Sequence, residues 1–191
     1  MSGAHQEDYE KTLFGFWVYL ITDFMLFGSL FAVYIVLQGN LFGGPSSKDL
    51  FNLPFALNQS FLMLIIAFLS GMGSLRAHQR RLRTAYSCFF LVMSAATLFL
   101  ARILQEFMHI QSLGVNWKTS GFLSAYYTLN AMVGLHVILG LIWTMLCLGF
   151  LYAKGVNDVA LKRISCLKMF WQFLNVIWIF VFAIVYLLGV G

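Results

Sequence analysis

The stretch 15–37, GFWVYLITDFMLFGSLFAVYIVL, limits what this chain can fold into more than any other. It is an apolar run of 23 residues with a single ionisable group, Asp23. As a helix rising about 1.5 Å per residue it reaches roughly 35 Å, enough to cross a hydrocarbon core about 30 Å thick. Asp23 falls about 12 Å along it, well inside the apolar zone. A carboxylate at that depth costs about 2.5–3.5 kcal/mol on insertion scales, so it must be neutral, paired or turned towards a polar niche. Whatever this chain builds has to accommodate that acid.

Four further apolar runs, at about 57–75, 86–104, 123–152 and 167–189, have comparable length. With 61% hydrophobic and 10% charged residues, the composition excludes an ordinary soluble domain. The expected fold is an all-α membrane protein: a tail at 1–14, then one domain at 15–191 crossing the membrane five times. The basic residues separate by connector rather than clustering on a face, so the net charge of +5 is not a nucleic-acid footprint. Lys11, Arg76, Arg80, Arg81, Arg83, Lys154, Lys162, Arg163 and Lys168 fall on one side; Lys48, Arg102 and Lys118 fall on the other. The positive-inside rule then places the N-terminus in the cytoplasm and the C-terminus in the periplasm. The acid-rich start and the length of the first run argue against a cleaved signal peptide, so that run is expected to stay in the mature protein. An odd number of spans also argues against a pair of inverted repeats, the common transporter plan.

Glycines 39, 43 and 44 with Pro45 and Pro54 rule out a continuous helix through the first connector, 38–56. Within it, Ser46-Ser47-Lys48-Asp49 resembles a capping box and predicts a short surface helix. Cys88, Cys147 and Cys166 lie in or beside spans without C-x-x-C spacing, and read as buried small apolar residues rather than a disulfide framework or thiolate site.

Five interior polar residues are candidates for a site: Asp23, Glu106, His136, Gln172 and Asn175. His136 is the one histidine at membrane depth, and a bis-histidine haem needs two imidazoles on facing helices. Glu106 and His109 have the Glu-x-x-His spacing of di-iron bundles, but once rather than twice and without the extra glutamates. No metal site is therefore expected. Trp171, Asn175, Trp178 and Phe182 share a face of the last helix, with Gln172 on its edge; amides in that setting usually bond neighbouring helices. Ala67-x-x-x-Gly71 and Ser70-x-x-x-Ser74 allow close helix approach and signal packing. Asp23 itself lacks the series of ionisable groups a proton or ion pathway uses, which favours a structural acid kept neutral by burial. The residues alone offer no nucleophile and base for catalysis.

Several longer segments carry a family likeness. FGFWVYLITDFMLF, GGPSSKDLFNLPFALNQSFL, SGFLSAYYTLNAMVGLHVILGLIW and MFWQFLNVIWIFVFAIVYLLG together resemble subunit III of the haem–copper oxidases, most closely the bacterial cytochrome bo-type ubiquinol oxidase branch. The likeness runs from about residue 14 to 189. It implies a noncatalytic five-helix subunit of a terminal ubiquinol oxidase in the bacterial inner membrane. Such a subunit packs against a large subunit I that carries haem and copper, and holds no redox centre of its own. It also implies bound phospholipid in a cleft between helix groups, and a role in assembly and sustained turnover. Quinol oxidation, oxygen reduction and proton translocation would belong to the catalytic subunit.

The sequence departs from the family pattern at polar positions. Gln172 and Asn175 stand where the fifth helix usually has histidine and aspartate, Val133 where the fourth often has a second histidine, and Ile103 where the third often has a glutamate. Two alternatives are kept open: subunit III of a cytochrome c oxidase, because other subunits recognise the electron donor, and a small transporter or channel using Asp23.

Overall fold

Inside hydrocarbon every backbone N–H and C=O must find a partner within the protein, and a helix provides one for each. The first four apolar runs accordingly each lie inside a longer helix of the computed structural model, which describes residues 2–41, 50, 53–115 and 117–188, and the described part of the fifth is helical as well. The helices are α1 (Ser2–Leu37), α2 (Leu53–His78), α3 (Leu82–Ser112), α4 (Gly121–Lys154) and α5 (Asp158–Val181). All five are long and apolar enough to cross a membrane, and no strand occurs among the described residues. The segment ahead of residue 15 continues α1, and Tyr9 on it donates to Ser165 Oγ at 2.8 Å. The short helix expected at Ser46–Asp49 lies outside the described residues.

The helix ends follow local chemistry. Pro54 takes the second position of α2, where its missing N–H is one of the unpaired groups anyway. Ser120 and Asn157 cap α4 and α5 by accepting from Leu123 N at 3.2 Å and Ala160 N at 2.8 Å. The turn between α2 and α3 is three residues long. It closes with Arg81 N donating to Arg76 O at 3.0 Å, and places Arg80 at φ 58, a left-handed position more often held by glycine.

Helices α4 and α5 pack together at the centre of the bundle. Helix α1 lies against both, while the α2–α3 hairpin joins the other side through α2 on α5 and α3 on α4. The largest fully buried side chains, among them Trp171, Trp178, Tyr126, Tyr186, Phe27 and Phe99, converge there. Lipid is as apolar as leucine, so these helices associate by close packing and hydrogen bonding rather than by expelling water. Gly140 on α4 shows how close: a Cβ there would stand 2.9 Å from the Trp171 ring and 3.0 Å from Phe170. The freed space lets Trp171 donate its indole N–H to Thr144 Oγ1 at 3.2 Å, and Thr144 donates to Gly140 O at 2.7 Å. Two turns further along α5, Trp178 donates to Ser60 Oγ on α2 at 3.0 Å. Cys88, Cys147 and Cys166 are buried. Ser70 and Ser74 are buried on α2, and Gly73 beside them lets the Phe89 ring of α3 approach.

Past Val181, α5 widens into a π-helical turn, Phe182–Leu187. Such turns rotate the side chains that follow them and often mark functional or strained positions. Here the rotation carries Tyr186 into the bundle.

Candidate functional site: a buried acid–imidazole pair and the polar seams around it

Asp23 projects from the inner face of α1, where Leu20, Phe27, Phe31 and Tyr34 are also buried at three- and four-residue spacing. Opposite it on α4 stands His136. The Asp23 Oδ2 to His136 Nε2 distance is 3.6 Å, and the side chains are only 12% and 6% exposed. That is ion-pair range, but too long for a direct hydrogen bond, and Oδ2 has no hydrogen-bond partner. The other ring nitrogen is fixed: His136 Nδ1 lies 2.9 Å from Met132 O. A carbonyl oxygen only accepts, so Nδ1 carries a hydrogen. In the neutral ring Nε2 is then a bare acceptor facing the acid. Phe27 at 5.0 Å and Phe170 at 6.4 Å between ring centroids flank the imidazole. Tyr19, one turn before Asp23, brings its hydroxyl close to the acid.

A second polar seam joins α3, α4 and the π turn. Tyr186 donates to Glu106, with both carboxylate oxygens at 3.1 Å, and Tyr126 Oη lies 3.4 Å from Tyr186 Oη. Glu106 is thus turned to two phenols, while His109, one turn on, is exposed. Both line a small cavity with Leu50, Phe55 and Gln105. Among the described residues no group of three or more His, Cys, Asp or Glu side chains is placed to hold a metal ion. Replacing Tyr186 by phenylalanine is expected to cost about 1 kcal/mol, near the usual net value of one hydrogen bond, because Tyr126 stays as a donor. Thermal unfolding of the detergent-purified protein would measure it; an unchanged midpoint would mean the seam adds nothing to stability.

Gln172 and Asn175 are not brought to the acid–imidazole pair. Gln172 is exposed and borders a mostly apolar groove of about 310 Å³ between α1 and α5, with Trp17, Leu20 and Phe24 on its other wall. Asn175 Oδ1 is buried without a hydrogen-bond partner. The bonds expected of these amides are made by the neighbouring indoles of Trp171 and Trp178 instead. The signal for those bonds was present in the sequence: a tryptophan inside an apolar helix needs an acceptor for its N–H, and Thr144 and Ser60 are hydroxyls inside facing helices.

Comparison with known proteins gives a consistent set of relatives. The chain is 38% identical over 179 residues to a protein named cytochrome bo(3) ubiquinol oxidase subunit 3 from Pseudomonas aeruginosa, covering 94% of this chain and 86% of that one. It is 39% identical over 181 residues to the protein of the same name from Pseudomonas putida, covering 95% and 87%. A probable quinol oxidase subunit 3 from Staphylococcus epidermidis is 31% identical over 189 residues, covering 98% and 93%. No family model matches the chain.

Proposed function

This chain belongs to the subunit 3 family of cytochrome bo(3) ubiquinol oxidases, and on that premise we propose that it is a noncatalytic, multi-pass subunit of a terminal ubiquinol oxidase in a bacterial inner membrane. Its N-terminus faces the cytoplasm and its C-terminus the periplasm, as the distribution of Lys and Arg supports. Its partner is the large subunit that carries haem and copper, where quinol is oxidised, oxygen reduced and protons moved. The observation that carries this proposal is the similarity along 94% of the chain to relatives of that name.

The geometry supports a supporting role. His136, the histidine at membrane depth, is held by the Met132 carbonyl on one nitrogen and faces Asp23 with the other, so neither nitrogen is open to haem iron or copper. Asp23 meets one imidazole and one phenol rather than a file of ionisable groups crossing the membrane, which gives the carrier alternative no footing. Large apolar side chains stand exposed on every helix, among them Phe14, Phe68, Phe90, Leu146 and Ile179. Surfaces of that kind are covered by lipid or by a partner subunit, and the apolar groove between α1 and α5 fits an acyl chain.

Purification in mild detergent through a tag on this chain tests the proposal. A larger polypeptide containing haem and copper is expected to co-purify, with ubiquinol oxidase activity. Recovery of the chain alone, colourless and monodisperse, would overturn it.

A further inference from the structure

A second groove, between α2 and α3, has features that packing does not account for. It encloses about 250 Å³ and is lined by Asn58, Gln59, Leu62, Leu98 and Arg102. Gln59 is 1% exposed, yet neither its Oε1 nor its Nε2 has a hydrogen-bond partner. Burying an unpaired amide is costly, and such a group marks a place where a partner belongs. Arg102 stands beside it. Neither the Lys11–Glu7 nor the His136–Asp23 ion pair involves Arg102, and no described carboxylate reaches it. Its guanidinium instead lies 5.4 Å from the centre of the Phe55 ring.

Depth and order narrow the occupant. Arg102 is about 15 Å from the C-terminal end of α3, a helix roughly 46 Å long, so with a hydrocarbon core of about 30 Å centred on that helix it sits just inside the apolar zone. A cation at that depth needs an anion within reach. Along the groove, Asn58, Gln59 and Arg102 lie nearer the membrane face that carries the α1–α2 and α3–α4 connectors. Leu62 and Leu98 lie one turn deeper, since α2 runs inwards from that face and α3 runs back towards it. Polar at the surface and apolar below is the order of a phospholipid. A partner's carboxylate would match the charge but has no use for the apolar floor.

We propose that this groove holds the phosphodiester of a bound phospholipid between Arg102, Asn58 and Gln59, with an acyl chain lying over Leu62 and Leu98. The phosphate oxygens accept from the guanidinium and from the Gln59 and Asn58 amides, as Arg–phosphate recognition favours. The site rests on the reading of the chain as a membrane subunit, and it lies apart from the groove between α1 and α5.

The test uses the purified complex, reconstituted with vesicles of phosphatidylcholine that contain a diazirine-bearing phosphatidylglycerol. After illumination, labelled peptides are mapped by mass spectrometry. Label is expected on residues 58–62 and 98–102, falling about tenfold in Arg102→Gln, as expected for loss of one charge-assisted contact, and largely kept in Arg102→Lys. Leu98→Trp, made at a half-exposed position, should displace the chain and the label without disturbing the bundle, which covers the case where Arg102→Gln fails to assemble. Inorganic phosphate is expected not to compete. Equal labelling in all variants, displacement by inorganic phosphate, or a photo-crosslink from position 58 to another protein subunit would each overturn the site. Co-purification of the haem-bearing partner is read in the same samples. Lost labelling specificity in an intact complex therefore counts against this site alone, whereas absence of the partner counts against the subunit reading.

Discussion

Asp23→Leu is expected to destabilise the protein by about 1–3 kcal/mol while leaving membrane insertion intact. Leucine restores an unbroken apolar span, so insertion becomes easier. What is lost is the partner of His136. With Nδ1–H held by Met132 O, the neutral imidazole keeps Nε2 as a buried acceptor with nothing to accept from, at the usual cost of an orphaned polar group. No bare charge is left behind, so the loss should fall short of the roughly 3–5 kcal/mol seen when one side of a buried ion pair is removed. Asp23→Asn should lose much less than leucine, because its amide N–H can donate to Nε2. In the double variant Asp23→Leu/His136→Leu the losses should not add, with a coupling of about 1 kcal/mol or more. Thermal midpoints of the four proteins within the assembled complex provide the cycle. Strict additivity would show that Asp23 and His136 do not act as a pair, and unchanged midpoints and turnover lifetime in Asp23→Leu would show that the acid is dispensable.

Gly140→Leu is expected to have the larger effect. A Cβ at this position already meets Trp171 and Phe170 at 2.9–3.0 Å, and both rings are almost fully buried with no open side to turn into. Helices α4 and α5 would have to separate. That loosens the Trp171–Thr144 bond and the aromatic packing around His136, at a cost of about 3 kcal/mol or more. Gly140→Ala should also destabilise, despite the higher helix propensity of alanine. Gly149, on the same helix with nothing within 4 Å of its would-be Cβ, provides the control. Gly149→Ala should be neutral or slightly stabilising, by up to about 1 kcal/mol. Yield of assembled complex and thermal midpoint check both. Equal behaviour of the two alanine variants would remove Gly140 from the set of packing determinants.

Much of the architecture was legible in the sequence because the membrane simplifies the problem. Runs such as 15–37 and 123–152 are long enough to span, and a span must be helical. The glycine- and proline-rich connector after residue 37 marked the break between the first two helices, whereas the capping roles of Ser120 and Asn157 came from the structure. The segments that carry the family likeness were equally plain. The interior was less so. Helical spacing shows which residues share a face of one helix, but not how two helices are rotated and shifted against each other. Gln172 and Asn175 looked like interhelical bonds, yet Gln172 borders a groove and the bonds come from Trp171 and Trp178. Glu106 and His109 shared a motif spacing, and the bundle turned one to Tyr186 and left the other exposed. Tyr186 reaches Glu106 through a π-helical turn, which no periodicity in an unbroken apolar run announces.

The sequence by itself determined that five helices cross a membrane, which family they belong to, and that an acid in the first of them requires an answer. Only the tertiary structure supplied the answer, His136. Length and apolarity are properties of one segment and can be read residue by residue. The meeting of Asp23 with His136 depends on the depth and rotation at which α1 docks on α4, and that is decided by packing across the bundle.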